Sequence, residues 1–144
     1  VKTTLENNWR QKTIEGLEKK NFGDPRDAPT NMVKRCLALC KIPLHQFSVE
    51  DVRFMIGQNC SLGYLIPLAI ECLAVDVFVE GDYYPGDLIK NVLSVDKLFW
   101  LENEKLWRQV NDLIVDKRPE LARNEISTLS FDTAFDSPQQ ELIN

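Results

Sequence analysis

One histidine, His45, is all the imidazole this 144-residue chain contains. Serine and cysteine nucleophiles need a positioned base, so this scarcity removes most nucleophile–base arrangements. Glycine is also sparse, with six residues. They form neither a Gly-x-x-x-x-Gly-Lys phosphate loop nor a Gly-x-Gly-x-x-Gly dinucleotide fingerprint. The four cysteines, Cys36, Cys40, Cys60 and Cys72, include no Cys-x-x-Cys pair and are too few for a disulfide framework. No apolar run approaches the roughly 18 residues of a membrane span. The stretch Val1–Trp9 has no apolar signal core, so the expected compartment is the cytoplasm.

The most informative absence is one of charge. Between Arg53 and Lys90 there is no basic residue, yet Glu71, Asp76, Glu80, Asp82 and Asp87 all fall in that interval. Residues 1–60 hold ten bases and seven acids, whereas residues 61–144 hold seven bases and fifteen acids. A nucleic-acid binder carries the opposite bias, a basic stripe with interleaved aromatics. This distribution suits a basic partner, whose approach the field would steer and accelerate. Direct binding of nucleic acid or membrane is not expected.

The remaining composition is that of one folded domain, 44% hydrophobic with seven Phe, three Tyr and three Trp. The patterning predicts an all-α fold, a single irregular bundle of about six or seven short helices over residues 1–126. An acidic extension, 127–144, follows, either packed or partly mobile.

Thr13 precedes a short helix reaching Lys20, and Thr30 is placed to cap a helix over 31–41 with Val33, Cys36, Leu37 and Cys40 on one face. Ser48 and Asp51 have capping-box spacing, and Phe47 and Val52 occupy hydrophobic-staple positions. Residues 61–75 form the most apolar stretch, and Pro67 within it predicts a turn followed by a helix with Pro67 in its first turn. Val75–Val79 alternates weakly like a strand, although an ordered loop is the commoner outcome for five such residues. Pro85 is placed for the first turn of a helix reaching Leu93, with Asp87 near its N-terminus. Ser94 and Asn103 are expected to cap the two helices that follow, and Pro119 permits one more, to about Ile126. Trp100 and Trp107 are expected in the core.

The string Glu80-Gly81-Asp82-Tyr83-Tyr84-Pro85-Gly86-Asp87 concentrates negative charge beside two tyrosines. The tyrosines are either core residues with satisfied hydroxyls or interface anchors. The acids are either turn and capping groups or a contact surface. Glu80, Asp82 and Asp87, or Cys36 and Cys40 with His45, also leave open a small enzyme or metal-binding protein.

Several strings together resemble the immunity proteins of bacterial contact-dependent growth inhibition (CDI) systems, the CdiI type. They are Leu17–Pro25, Ile42-Pro43-Leu44 with Phe47-Ser48-Val49-Glu50-Asp51-Val52-Arg53, Met55–Asn59, Leu65–Ala69, and Glu80–Leu93 with Phe99-Trp100. The resemblance covers about Lys12 to Asp116. The chain departs from it in a longer C-terminal extension and in Cys60-Ser61. It implies a cytoplasmic binding protein, without catalysis or cofactor, that neutralises the C-terminal domain of a cognate CDI toxin, a basic nuclease, by stoichiometric occlusion. The expected contact residues are Glu71, Asp76, Glu80, Asp82, Tyr83 and Asp87.

Overall fold

The computed structural model describes residues 4–136. Every regular element in its described part is helical, and two isolated antiparallel bridges join Thr13 to Pro43 and Glu80 to Pro85. The helices are α1 (Ile14–Glu18), α2 (Asn31–Leu39), α3 (Val49–Gly57), α4 (Leu62–Val75), α5 (Asp87–Leu93), α6 (Lys97–Glu102), α7 (Glu104–Ile114), α8 (Arg118–Arg123) and α9 (Leu129–Asp132). Short 3-10 turns at Trp9–Gln11, Pro25–Asp27, Leu44–Gln46 and Val115–Lys117 join them. The all-α irregular bundle expected from the sequence is the architecture found. None of the described helices is long and apolar enough to cross a membrane.

Local chemistry starts several of these elements. Thr13 and Thr30 accept from the amides of Gly16 and Val33 and so cap α1 and α2. At α3 the capping box is complete: Asp51 N donates to Ser48 Oγ, and Ser48 N donates to the Asp51 carboxylate, both at 3.0 Å. Asp serves in place of the more usual Glu because its shorter side chain still reaches the cap amide.

The core gathers around α3, α4 and α5. Met55 of α3, Leu65, Ile66 and Leu73 of α4, and Leu88, Ile89 and Leu93 of α5 are fully buried. Each such side chain contributes roughly 1.5–3 kcal/mol relative to exposure. That burial explains α4, which carries Pro67 in its interior rather than in its first turn. The helix starts early because the amides of Tyr64 and Leu65 both bond the Ser61 carbonyl, with Ser61 in the left-handed region at φ 49°. A proline inside a helix costs about 3 kcal/mol, and the buried stripe around it outweighs that.

Other boundaries differ for equally local reasons. Gly86 sits at φ 91°, so α5 begins at Asp87 and Pro85 stays outside it, bridged to Glu80. A Cβ at position 86 would stand 3.0 Å from Ile126 Cδ1 and 3.2 Å from Phe78 Cδ1, which reserves this turn for glycine. Asp96, not Ser94, caps α6 by accepting from Leu98 N. Asn103 sits at the α7 boundary, but its buried side chain donates to the Phe99 carbonyl at the end of α6 instead of capping α7. Val33 of α2 is exposed, Cys36 and Leu37 are half-buried, and Leu39 and Cys40 are buried, so α2 meets the core through its C-terminal end. Val75–Val79 is a loop in which Asp76 accepts from Phe78 N.

The described part of the extension is packed. Phe131 of α9 is fully buried, stacked on Trp107 at 4.9 Å and edge-on to Trp100 at 5.3 Å. Trp107 Nε1–H donates to the Phe131 carbonyl at 2.9 Å. Arg118 grips Asp132 with two hydrogen bonds of 2.8 and 3.0 Å. Trp100 is the one buried side chain among the described residues whose polar atom, its indole nitrogen, has no hydrogen-bond partner.

Candidate functional site: a clamped acidic loop

The loop from Glu80 to Gly86 lies against α3, and two buried carboxylates hold it. Asp87, only 3% exposed, accepts from the backbone amides of Gly81 at 2.7 Å, Tyr83 at 3.1 Å and Tyr84 at 3.4 Å. Glu50 of α3, 8% exposed, accepts from the amide of Asp82 at 3.0 Å. Four successive backbone N–H groups therefore end on two side chains. Each of those amides has an acceptor within the protein.

Glu50 is in turn paired with Arg53 one helical turn on, through Nε and Nη2, each at 2.6 Å. Arg35 of α2 adds a longer contact to Glu50 at 3.6 Å and one to Asp51 at 3.4 Å, and lies over the Phe54 ring at 4.1 Å. The Arg53 guanidinium holds the Glu50 carboxyl below its ordinary range, against the opposing effect of burial. Glycine at position 81 is required by this close approach, because a Cβ there would stand 2.7 Å from Glu50 Oε1 and 3.1 Å from Asp87 Oδ2.

What the clamp presents to solvent is specific. The Arg53 guanidinium carbon lies 4.6 Å from the centre of the Tyr83 ring, and Tyr83 remains 69% exposed. Tyr84 is also exposed, with Lys90 at 5.9 Å from its ring. Neither tyrosine is a core residue. Glu80 and Asp82 are exposed and have no ion-pair partner among the described residues.

The six residues singled out from the sequence thus divide. Glu80, Asp82 and Tyr83 share the outer face of one loop. Asp87 lies beneath that face with its oxygens committed to the loop backbone. Asp76 is exposed in the preceding turn, where it caps Phe78. Glu71 stands apart, paired with Arg10 and lining a groove of about 440 Å³ with Trp9, Pro67, Ile70 and Leu106. Glu50 and Arg53 were not singled out. Their i, i+3 spacing, and the position of Arg53 as the last base before the base-free interval, are the signals in the sequence that could have found them.

The alternatives lack a comparable assembly. No group of three His, Cys, Asp or Glu side chains that could hold a metal ion occurs among the described residues. His45 is exposed in its 3-10 turn, whereas Cys40 is buried, with its thiol pushed up to about 11 chiefly by desolvation. Cys60 is pushed up to about 12 for the same leading reason. Desolvation of this kind disfavours the thiolate, the nucleophilic form of cysteine.

Fold and site together describe a small helical protein in which an acidic, tyrosine-bearing loop is tied by its backbone amides to two buried carboxylates. The family model of CDI immunity proteins matches residues 16–129, most of the chain, and this protein belongs to that family. Its function is accordingly immunity against a CDI toxin. Searches of curated proteins and of solved structures return no match. The family match ends within α9, so part of the extension left outside the sequence resemblance falls inside it.

Proposed function

We propose that this protein works in the cytoplasm as a stoichiometric inhibitor that docks the outer face of the 80–84 loop onto a basic nuclease toxin domain. Glu80, Asp82 and Tyr83 make the contact, and Asp76 adds to the steering field. The supporting observation is two exposed carboxylates, without an ion-pair partner among the described residues, beside an exposed tyrosine on a loop whose amides at 81–84 all have side-chain acceptors. A nuclease binds polyanions through cationic groove residues. Carboxylates fixed on a rigid loop can occupy that groove in place of phosphates. Rigidity matters because a loop already in its bound shape loses little conformational freedom on association. Occlusion alone accounts for neutralisation, so no catalytic group is invoked. Glu71 makes no contact and adds little to the steering field, since Arg10 already neutralises it.

The test is co-expression with the toxin domain encoded beside this protein, followed by gel filtration. Growth is expected to be restored and a 1:1 complex to co-elute. Continued growth arrest with no complex would remove the reading. Degradation of tRNA, rRNA or DNA by the isolated toxin domain, abolished by an equimolar amount of this protein, is the expected sign of a nuclease.

A further inference from the structure

We propose that Arg53 is the positioning residue of the recognition surface: it holds the exposed Tyr83 ring in the orientation the toxin domain meets. The inference rests on the docking face proposed above and assigns a task to a residue that does not itself face the partner. Three observations on α3 and the loop carry it. The Arg53 side chain is only 15% exposed and its fork is immobilised by both oxygens of the buried Glu50. The guanidinium then lies against the Tyr83 ring at 4.6 Å, while the ring stays largely open to solvent. The Tyr83 backbone is fixed separately, by its amide bond to Asp87. Main chain and ring are thus held by different anchors, and the ring's anchor is Arg53.

The neighbouring tyrosine provides a contrast. Tyr84 has as its cation the exposed Lys90, at 5.9 Å, on a flexible stem. Of the two, only Tyr83 has a platform that is planar, largely shielded from solvent and held by a buried carboxylate. A planar guanidinium stacks on an aromatic face in a way an ammonium does not. An exposed tyrosine already held in its bound rotamer is the kind of side chain that anchors interfaces. Glu50 therefore serves twice, closing the loop through Asp82 N and orienting the guanidinium beneath Tyr83.

The experiment is a double-mutant cycle with R53K, Y83A and the R53K/Y83A pair, measuring affinity for a catalytically inactivated toxin domain, with melting curves to confirm folding. R53K keeps the charge opposite Glu50 and loses the stacking plane. It is expected to weaken binding about 10-fold when Tyr83 is present and less than about 2-fold in the Y83A background. An equal loss in both backgrounds would mean that Arg53 acts through general stability, and would overturn the proposal. So would an unchanged affinity for R53K while Y83A binds weakly, which leaves the docking face itself standing. If Y83A and D82K both bind like wild type, the docking face is wrong and the role of Arg53 falls with it. Should R53K fail to fold, the cycle is repeated with R53Q, with the same outcomes deciding.

Discussion

Two segments close this bundle, and the anchors that dominate in them differ, although Arg118 and the Trp107 indole also add polar ties to the second. The 80–87 loop is held by polar groups: three amides on Asp87 at the start of α5, one amide on Glu50 of α3, an ion pair beneath, and a glycine at the point of closest approach. The 127–136 segment is tied to α6 and α7 by aromatic rings, Phe131 between Trp107 and Trp100, with Phe135 edge-on to Trp107 at 5.2 Å. Aromatic burial contributes stability without fixing much of the exposed surface. Polar anchoring contributes less net stability, because desolvation offsets much of the attraction, but it fixes direction, residue by residue. A protein that must present a few side chains in one orientation gains from the second kind of anchor.

The comparison yields an ordering of effects. Phe131→Ala should be the most damaging substitution, at about 3–5 kcal/mol, since it removes a fully buried ring from between two tryptophans. Urea denaturation reads this directly, and toxin affinity of the folded fraction should be unchanged. Glu50→Ala should cost about 3 kcal/mol, because it leaves Arg53 without its partner in a mostly buried site. Unlike Phe131→Ala, it should also weaken toxin binding. A Glu50→Ala protein that loses stability but binds at full affinity would erase the distinction between the two anchors.

Gly81→Ala should cost about 1–3 kcal/mol by overpacking against Glu50 and Asp87, with faster amide exchange at residues 81–84 as its signature. Acid should have the gentlest effect. The folded-state value of Glu50 is depressed, so its contribution is fully present above the ordinary glutamate range, roughly pH 4, and is lost as pH falls through the depressed value. Amide protection at Asp82 should therefore persist at pH 5 and decline on further acidification. Protection already lost near pH 6 would show that another group controls the loop.

The same contrast explains what could be read in the sequence. Ser48, Asp51, Thr13 and Thr30 were legible because a cap is made within three residues, and the structure repeats that grammar at each of them. Glu80, Asp82 and Tyr83 were legible as an exposed acidic turn. Asp87 was not legible as a buried closing group, because its partners are backbone amides that sequence spacing does not reveal. Glu71 looked equivalent to the others in a charge count along the chain, but helix direction sends it toward Arg10. The link from Glu50 to Asp82 spans 32 residues and depends on how α3 and α5 pack. Pro67 misled for a related reason: local rules disfavour it, and burial that no local rule contains overrides them.

The measurement that bears most directly on the central claim is toxin affinity after charge reversal at two acidic patches. Glu80 and Asp82 are the residues to reverse on the loop, since reversal at the buried Asp87 would disrupt the loop itself. Glu15 and Glu18 on α1 are the comparison. Reversal of Glu80 and Asp82 is predicted to weaken binding by roughly 100-fold, mostly through slower association and with a reduced salt dependence. Reversal on α1 should change affinity by less than about 3-fold. Equal losses at the two patches, or no loss at the loop, would contradict the account and place the toxin elsewhere on the surface.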